Sequence, residues 1–227
     1  MPPTPWRVGG AQRQGPREVQ ADAFVVGGDR ATGRIAACVT DGIGDTTEAA
    51  EAAQLAADAA ARATLTATPE AGCAAARESL AASDNLADAS IVIALFDPDH
   101  SRIAITWAGL CRAYALTEDG QLQRATYDHS LGERIRRQTT QRGPLALYDR
   151  EITRTVARHE FVTTSLPAHT IRSVLLCSDG VSRLLDDHAI LHGLTVSDPD
   201  DAAQFLVASA GVNGSDNATA LVLHHQS

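Results

Sequence analysis

Val174-Leu175-Leu176-Cys177-Ser178-Asp179-Gly180 is an apolar run of strand character that ends on an aspartate and a glycine. The same signature recurs at Ala36-Ala37-Cys38-Val39-Thr40-Asp41-Gly42. Two more aspartates lead into apolar runs instead of closing them: Asp22 before Ala23-Phe24-Val25-Val26, and Asp216 before Asn217-Ala218-Thr219-Ala220-Leu221-Val222-Leu223. A carboxylate at a strand end is held rigidly at a sheet edge, where water and ligands enter. Four such groups converging would repel one another unless a divalent cation sat between them. Aspartate oxygens without nearby His or Cys favour a hard ion, Mg²⁺ or Mn²⁺.

Working outward, two strands are predicted near 22–27 and 34–40, joined by a glycine-rich turn signal at 27–33. The Ala-rich stretch from Thr46 to about Ala67 favours helix, with Thr46 or Thr47 as cap. Pro69 suits the first position of a second helix that runs to about Ser83. Strands follow at 89–96, 102–107, 112–116 and 121–125, on spacings too short for parallel crossovers. A helix at 129–138, a strand at 172–178, helices near 187–192 and 200–210, and a strand at 217–224 complete the order. The 139–170 segment has no clear pattern. Bunched strands with helices inserted in pairs predict an α+β layered fold of mainly antiparallel sheets. No linker composition divides the chain, so 1–227 reads as one domain, with Pro- and Gly-rich residues 1–16 irregular.

All 19 basic residues are Arg, and the formal net charge is −9. That balance argues against a nucleic-acid groove, which needs clustered positive charge. Arg134-Ile135-Arg136-Arg137 reads as a solvated helix face. Cys38, Cys73, Cys111 and Cys177 show no zinc spacing and read as buried free thiols, consistent with a reducing compartment. No signal peptide or membrane-spanning run is recognisable, so a cytoplasmic location is expected.

Six segments, in order, resemble motifs of the metal-dependent protein phosphatases of the 2C type (PPM), a bacterial single-domain member. They are Arg17–Phe24, Thr40–Gly44, Ala108–Tyr114, Asp128–Leu131, Leu175–Val181 and Asp216–Thr219. The resemblance implies a four-layer α-β-β-α sandwich with two Mn²⁺ or Mg²⁺ ions at one end. It implies that Asp41, with the Gly42 carbonyl, bridges the ions, that Asp179 and Asp216 hold one of them, and that Asp22 acts on the other. Arg17 would clamp the phosphate, and a water shared by the ions would attack phosphorus. The implied activity is removal of phosphate from Ser or Thr of a protein substrate, in opposition to a Ser/Thr kinase. The implied partners include neither nucleic acid nor membrane, and a monomer is expected.

The chain departs from the family's pattern at Ala21, Ile43, Asp45 and Leu110. Leu110 replaces an aspartate linked to a third ion, which argues against that site and for slow turnover. These departures motivate an alternative: a pseudophosphatase acting as a regulatory binding module. A weaker option is a phosphatase for a small phosphorylated metabolite. At the level of single residues, Asp41 and Asp179 can each also be read as plain Asp-Gly turns, Arg17 as a surface ion pair and Asp45 as a charge at a helix N-terminus. His188 and His192 read as exposed, and Asp97-Pro98-Asp99 and Asp198-Pro199-Asp200-Asp201 as solvated loops.

Overall fold

Each of the two Asp-Gly runs supplies an interior strand of its own sheet. The computed structural model describes residues 6–138, 145–212 and 214–226. Its strands are β1 (Trp6–Arg13), β2 (Asp22–Asp29), β3 (Arg34–Gly42), β4 (Ala89–Asp97), β5 (Arg102–Ala108), β6 (Arg112–Thr117), β7 (Leu122–Arg124), β8 (Val162–Pro167), β9 (Ile171–Cys177) and β10 (Ala218–His225). Its helices are α1 (Thr47–Thr66), α2 (Pro69–Ala81), α3 (Leu131–Gln138), α4 (Asp179–Ser182), α5 (Asp187–Leu194) and α6 (Pro199–Gly211). One five-stranded sheet has the order β2-β3-β4-β5-β8 and the other β1-β10-β9-β6-β7. Every pairing is antiparallel, as the short connections predict for β2–β3, β4–β5 and β6–β7.

The sheets face each other across a core that includes Val39, Ile105, Trp107, Leu176 and Leu221. On the outer face of the first sheet lie α1 and α2. Ala49, Ala52, Ala53, Ala56, Ala57 and Ala60, all fully buried, form the stripe that α1 turns inward. Small side chains let the helix approach the sheet closely, which explains how a core with few aromatics still packs. Thr46 caps α1 by accepting from the Ala49 amide at 3.2 Å. The second sheet is covered by α4, α5 and α6 over a third cluster that includes Leu175, Ile190 and Leu206. The result is the α-β-β-α sandwich. Among the described residues no helix is long and apolar enough to cross a membrane.

Two expectations fail for identifiable reasons. Residues 6–13 are not irregular: they form β1, the edge strand paired along its whole length with β10. Gly9 and Gly10 look like loop punctuation, yet they mark close approaches. A Cβ on Gly9 would lie 2.1 Å from the Asp200 amide nitrogen, and one on Gly10 2.7 Å from the Phe24 ring. Gly9→Ala is therefore expected to lower stability by about 2 kcal/mol, because α6 backbone must move. Unchanged thermal unfolding would contradict that packing. Second, Asp198-Pro199-Asp200-Asp201 is no free loop: Asp198 caps α6, accepting from the Asp200 amide at 3.0 Å. Within 139–170, residues 162–167 form β8, whereas 139–144 lie outside the described residues.

Candidate metal centre

Asp22 and Asp41 are direct cross-strand partners in the β2–β3 pair. Opposed residues of an antiparallel pair point to the same face with Cβ atoms about 5 Å apart, so two like charges meet there. The other sheet brings Asp179, two residues beyond the end of β9, and Asp216, two residues before β10, to the same end of the sandwich. The two sheets are stitched together at this point. Asp22 Oδ2 accepts from Ser178 Oγ and from Thr219 Oγ1, each at 2.7 Å. The structure thus brings all four predicted aspartates to one end of the molecule.

Asp41, Asp179 and Asp216 line a cleft of about 450 Å³, while Asp22 is buried at 6% exposure. Glycines let the walls close up around it. A Cβ on Gly42 would lie 2.2 Å from the Ala49 carbonyl oxygen, and one on Gly180 1.8 Å from that of Asn217. Asn217 fastens the segment before β2: its Nδ2 donates to the Gln14 carbonyl at 2.8 Å and the Val19 carbonyl at 2.9 Å. Its Oδ1 accepts from the Ala21 amide at 2.8 Å.

That segment carries Arg17. Its Nη2 meets Asp216 Oδ2 at 2.9 Å, and its Nη1 lies 3.9 Å from Asp45. Asp45 is therefore more than a charge at a helix N-terminus: it also accepts from the Glu18 and Val19 amides, at 3.3 and 3.1 Å. Arg183 Nη1 meets Asp179 Oδ2 at 3.1 Å. The Asp41 carboxylate has no hydrogen bond or ion pair to any described residue.

Electrostatics shows the strain of this arrangement. Burial, partly offset by the Ser178 and Thr219 hydroxyls and reinforced by Asp179 and Asp216, pushes Asp22 up to about 7. Burial, with repulsion from Asp22, Asp179 and Asp216, pushes Asp41 well above the usual carboxylate range. Burial also raises Asp179, against the pull of Arg183. The folded chain therefore binds more protons at Asp22 than the unfolded chain between pH 3.8 and about 7. The contribution of Asp22 to the stability of the metal-free protein is expected to fall as pH rises through that window and to level off above it, by up to about 4 kcal/mol. Asp22→Asn should flatten the slope. Burial lowers His129 to about 4, which gives an opposite slope common to both proteins, so the test is urea unfolding in EDTA at pH 5 and pH 7.5 for wild type beside Asp22→Asn; identical pH dependence in the two would refute the shift.

The donor set fits hard divalent cations. Asp22, Asp41 and Asp179, all raised by burial and by neighbouring carboxylates, are relieved by added positive charge, and every candidate ligand is oxygen. Among the described residues no three His, Cys, Asp or Glu side chains stand together as a preassembled cage. Two of the four carboxylates are instead turned onto arginines.

Several residues that shape the site escape sequence reasoning. Ser178 and Thr219 sit inside apolar runs and signal nothing alone. Arg183 follows Asp179 by four residues on a turn too short to read as a helix. Arg112 grips Asp128 with both ends of its guanidinium at 2.6 Å and donates to the Ser182 carbonyl at 2.9 Å, bracing α4. Ser130 Oγ accepts from the Glu133 amide at 3.1 Å at the head of α3, which accounts for its place in the Asp128-His129-Ser130 segment.

No family model and no curated protein matches the sequence. Solved structures do match the fold over nearly its full length. The Mycobacterium tuberculosis serine/threonine phosphatase PstP/Ppp covers 98% of this chain and 99% of its own, with a TM-score of 0.80 at 23% identity. A serine/threonine phosphatase of S. agalactiae covers 97% and 99%, with a TM-score of 0.82 at 16% identity. PppA, described as a key regulatory component of T6SS in Pseudomonas aeruginosa, covers 97% of each chain, with a TM-score of 0.76 at 26% identity. A structure of the PstP catalytic domain was solved in complex with two manganese ions. The chain has the fold of the bacterial PPM-type serine/threonine phosphatases.

Proposed function

We propose that this chain is a metal-dependent phosphoprotein phosphatase that hydrolyses phosphoserine or phosphothreonine, with two Mn²⁺ or Mg²⁺ ions held by the aspartate cluster. The observation that carries this reading is the convergence of Asp41, Asp179 and Asp216 from both sheets on one cleft, with Asp22 buried beside Asp41 and no described residue hydrogen-bonded to the Asp41 carboxylate. Asp41, the Gly42 carbonyl, Asp179 and Asp216 would hold the ions, with Asp22 behind them. When bound, the ions supply positive charge to the phosphate oxygens and lower the pKa of water.

The remaining work falls to the chain. The hydroxyls of Ser178 and Thr219 hold one oxygen of Asp22 and aim the other. Asn217 and Asp45 fix the backbone from which Arg17 reaches the cleft, where its planar fork suits two phosphate oxygens. Ile43, on the cleft wall, carries no proton to give, so the leaving alkoxide takes its proton from water. The substrate is proposed to be a phosphorylated protein whose kinase this chain opposes.

One observation favours a second reading, a regulatory module with little catalysis: Arg17 and Arg183 already occupy oxygens of Asp216 and Asp179. Hydrolysis of p-nitrophenyl phosphate and of a phosphothreonine peptide, with Mn²⁺ or with EDTA, separates the two. Turnover of both that requires Mn²⁺ is the expected result. Mn²⁺ binding by calorimetry without turnover would favour the module, and neither binding nor turnover would overturn the site.

A further inference from the structure

We infer that Arg183 is a built-in cation of the cleft: counter-ion to Asp179 when no metal is bound, and a second phosphate-binding guanidinium beside Arg17 when it is. The inference rests on the phosphatase reading and assigns to the site a residue outside the carboxylate cluster and Arg17. Asp179 opens α4 and Arg183, four residues on, caps its C-terminal end in helical conformation, so they share one face of that turn. The Arg183 amide donates to the Asp179 carbonyl at 2.9 Å, which fixes their spacing. The guanidinium meets Asp179 Oδ2 at 3.1 Å and is 23% exposed, and both residues line the cleft.

Two other arginines stand near: Arg150 also lines the cleft but forms no ion pair with any of the four aspartates, and Arg112 is unsuited to this task. Arg112 is committed to Asp128, the Ser182 carbonyl and the Tyr114 hydroxyl. Arg183 makes one side-chain hydrogen bond to a described residue, so most of its five N–H donors remain for an incoming anion. Arg17 enters from the segment before β2 and pairs with Asp216, so the two guanidiniums reach the cleft from different parts of the chain. A phosphate monoester presents three non-bridging oxygens, enough for both forks. Arginine does not lose its proton in proteins, so what releases Arg183 is neutralisation of Asp179 by a metal rather than a change of pH.

This arrangement has a signature of opposite signs. Removing Arg183 removes a competitor for Asp179 and should tighten Mn²⁺ binding. It also removes a phosphate ligand and should weaken phosphate binding to the Mn²⁺-loaded protein. Arg183→Met keeps length and packing, and Arg183→Lys keeps the charge without the fork. For Arg183→Met, calorimetry is expected to show Mn²⁺ affinity rising about three-fold or more and inorganic phosphate affinity falling about ten-fold, with Arg183→Lys intermediate in both. A structural role alone would lower both affinities together, and that result, or unchanged phosphate affinity, overturns the inference. Wild-type protein that binds no Mn²⁺ would overturn the phosphatase reading instead.

Discussion

Asp41→Asn is expected to abolish Mn²⁺-dependent phosphatase activity, by about 10³-fold or more, while leaving the metal-free protein at least as stable as wild type. The two effects have one cause. Asp41 faces Asp22 across the β2–β3 pair and lies within the fields of Asp179 and Asp216. Burial and those charges hold its pKa well above the usual range, and no described residue partners its carboxylate. Asparagine keeps the shape and removes the repulsion, so the empty site relaxes. The same change removes the charge that would bridge the ions, so Mn²⁺ should protect the variant from thermal unfolding far less than it protects wild type. Melting curves with and without Mn²⁺, beside a turnover assay, check all of this. An active variant, or one that melts well below wild type without metal, would contradict the assignment.

The second large effect concerns the scaffold. Asn217→Ala is expected to destabilise the protein by about 3 kcal/mol, because it strands two carbonyls and one amide that the side chain now satisfies at 2.8–2.9 Å. Residues 14–21 lose their anchor to β10, and Arg17 loses its fixed origin. A lower urea midpoint with an unchanged slope should therefore accompany a raised KM for phosphopeptide in whatever fraction stays folded. A loss below about 1 kcal/mol would mean the segment is held by other contacts.

How much of this was readable depends on how locally each feature is encoded. Strands β3, β4, β9 and β10 are continuous apolar runs bounded by turn residues, and each lies within two residues of its predicted limits. The aspartates at their ends are legible because a charged residue beside such a run has few structural explanations. Strand β1 was not legible, since Gly9 and Gly10 answer to α6 and to Phe24, which lie far away in sequence. Strand β8 was hidden for another reason. Its Val162-Thr163-Thr164-Ser165-Leu166-Pro167 lies on a sheet edge, is only partly buried and shows no alternation. The grip of Ser178 and Thr219 on Asp22 depends on how the two sheets face each other, which no local pattern encodes. Arg183 belongs to the same class, its role visible only once Asp179 is placed in the cleft.

Diffraction from crystals grown with Mn²⁺, recorded at the manganese absorption edge, decides whether the four aspartates form a two-metal centre. Two anomalous peaks are expected beside the Asp41 carboxylate, one shared with Asp179 and Asp216 and the other on the side of Asp22, with the Arg183 guanidinium withdrawn from Asp179. No anomalous density in the cleft, with Arg17 and Arg183 still paired to Asp216 and Asp179, would contradict it.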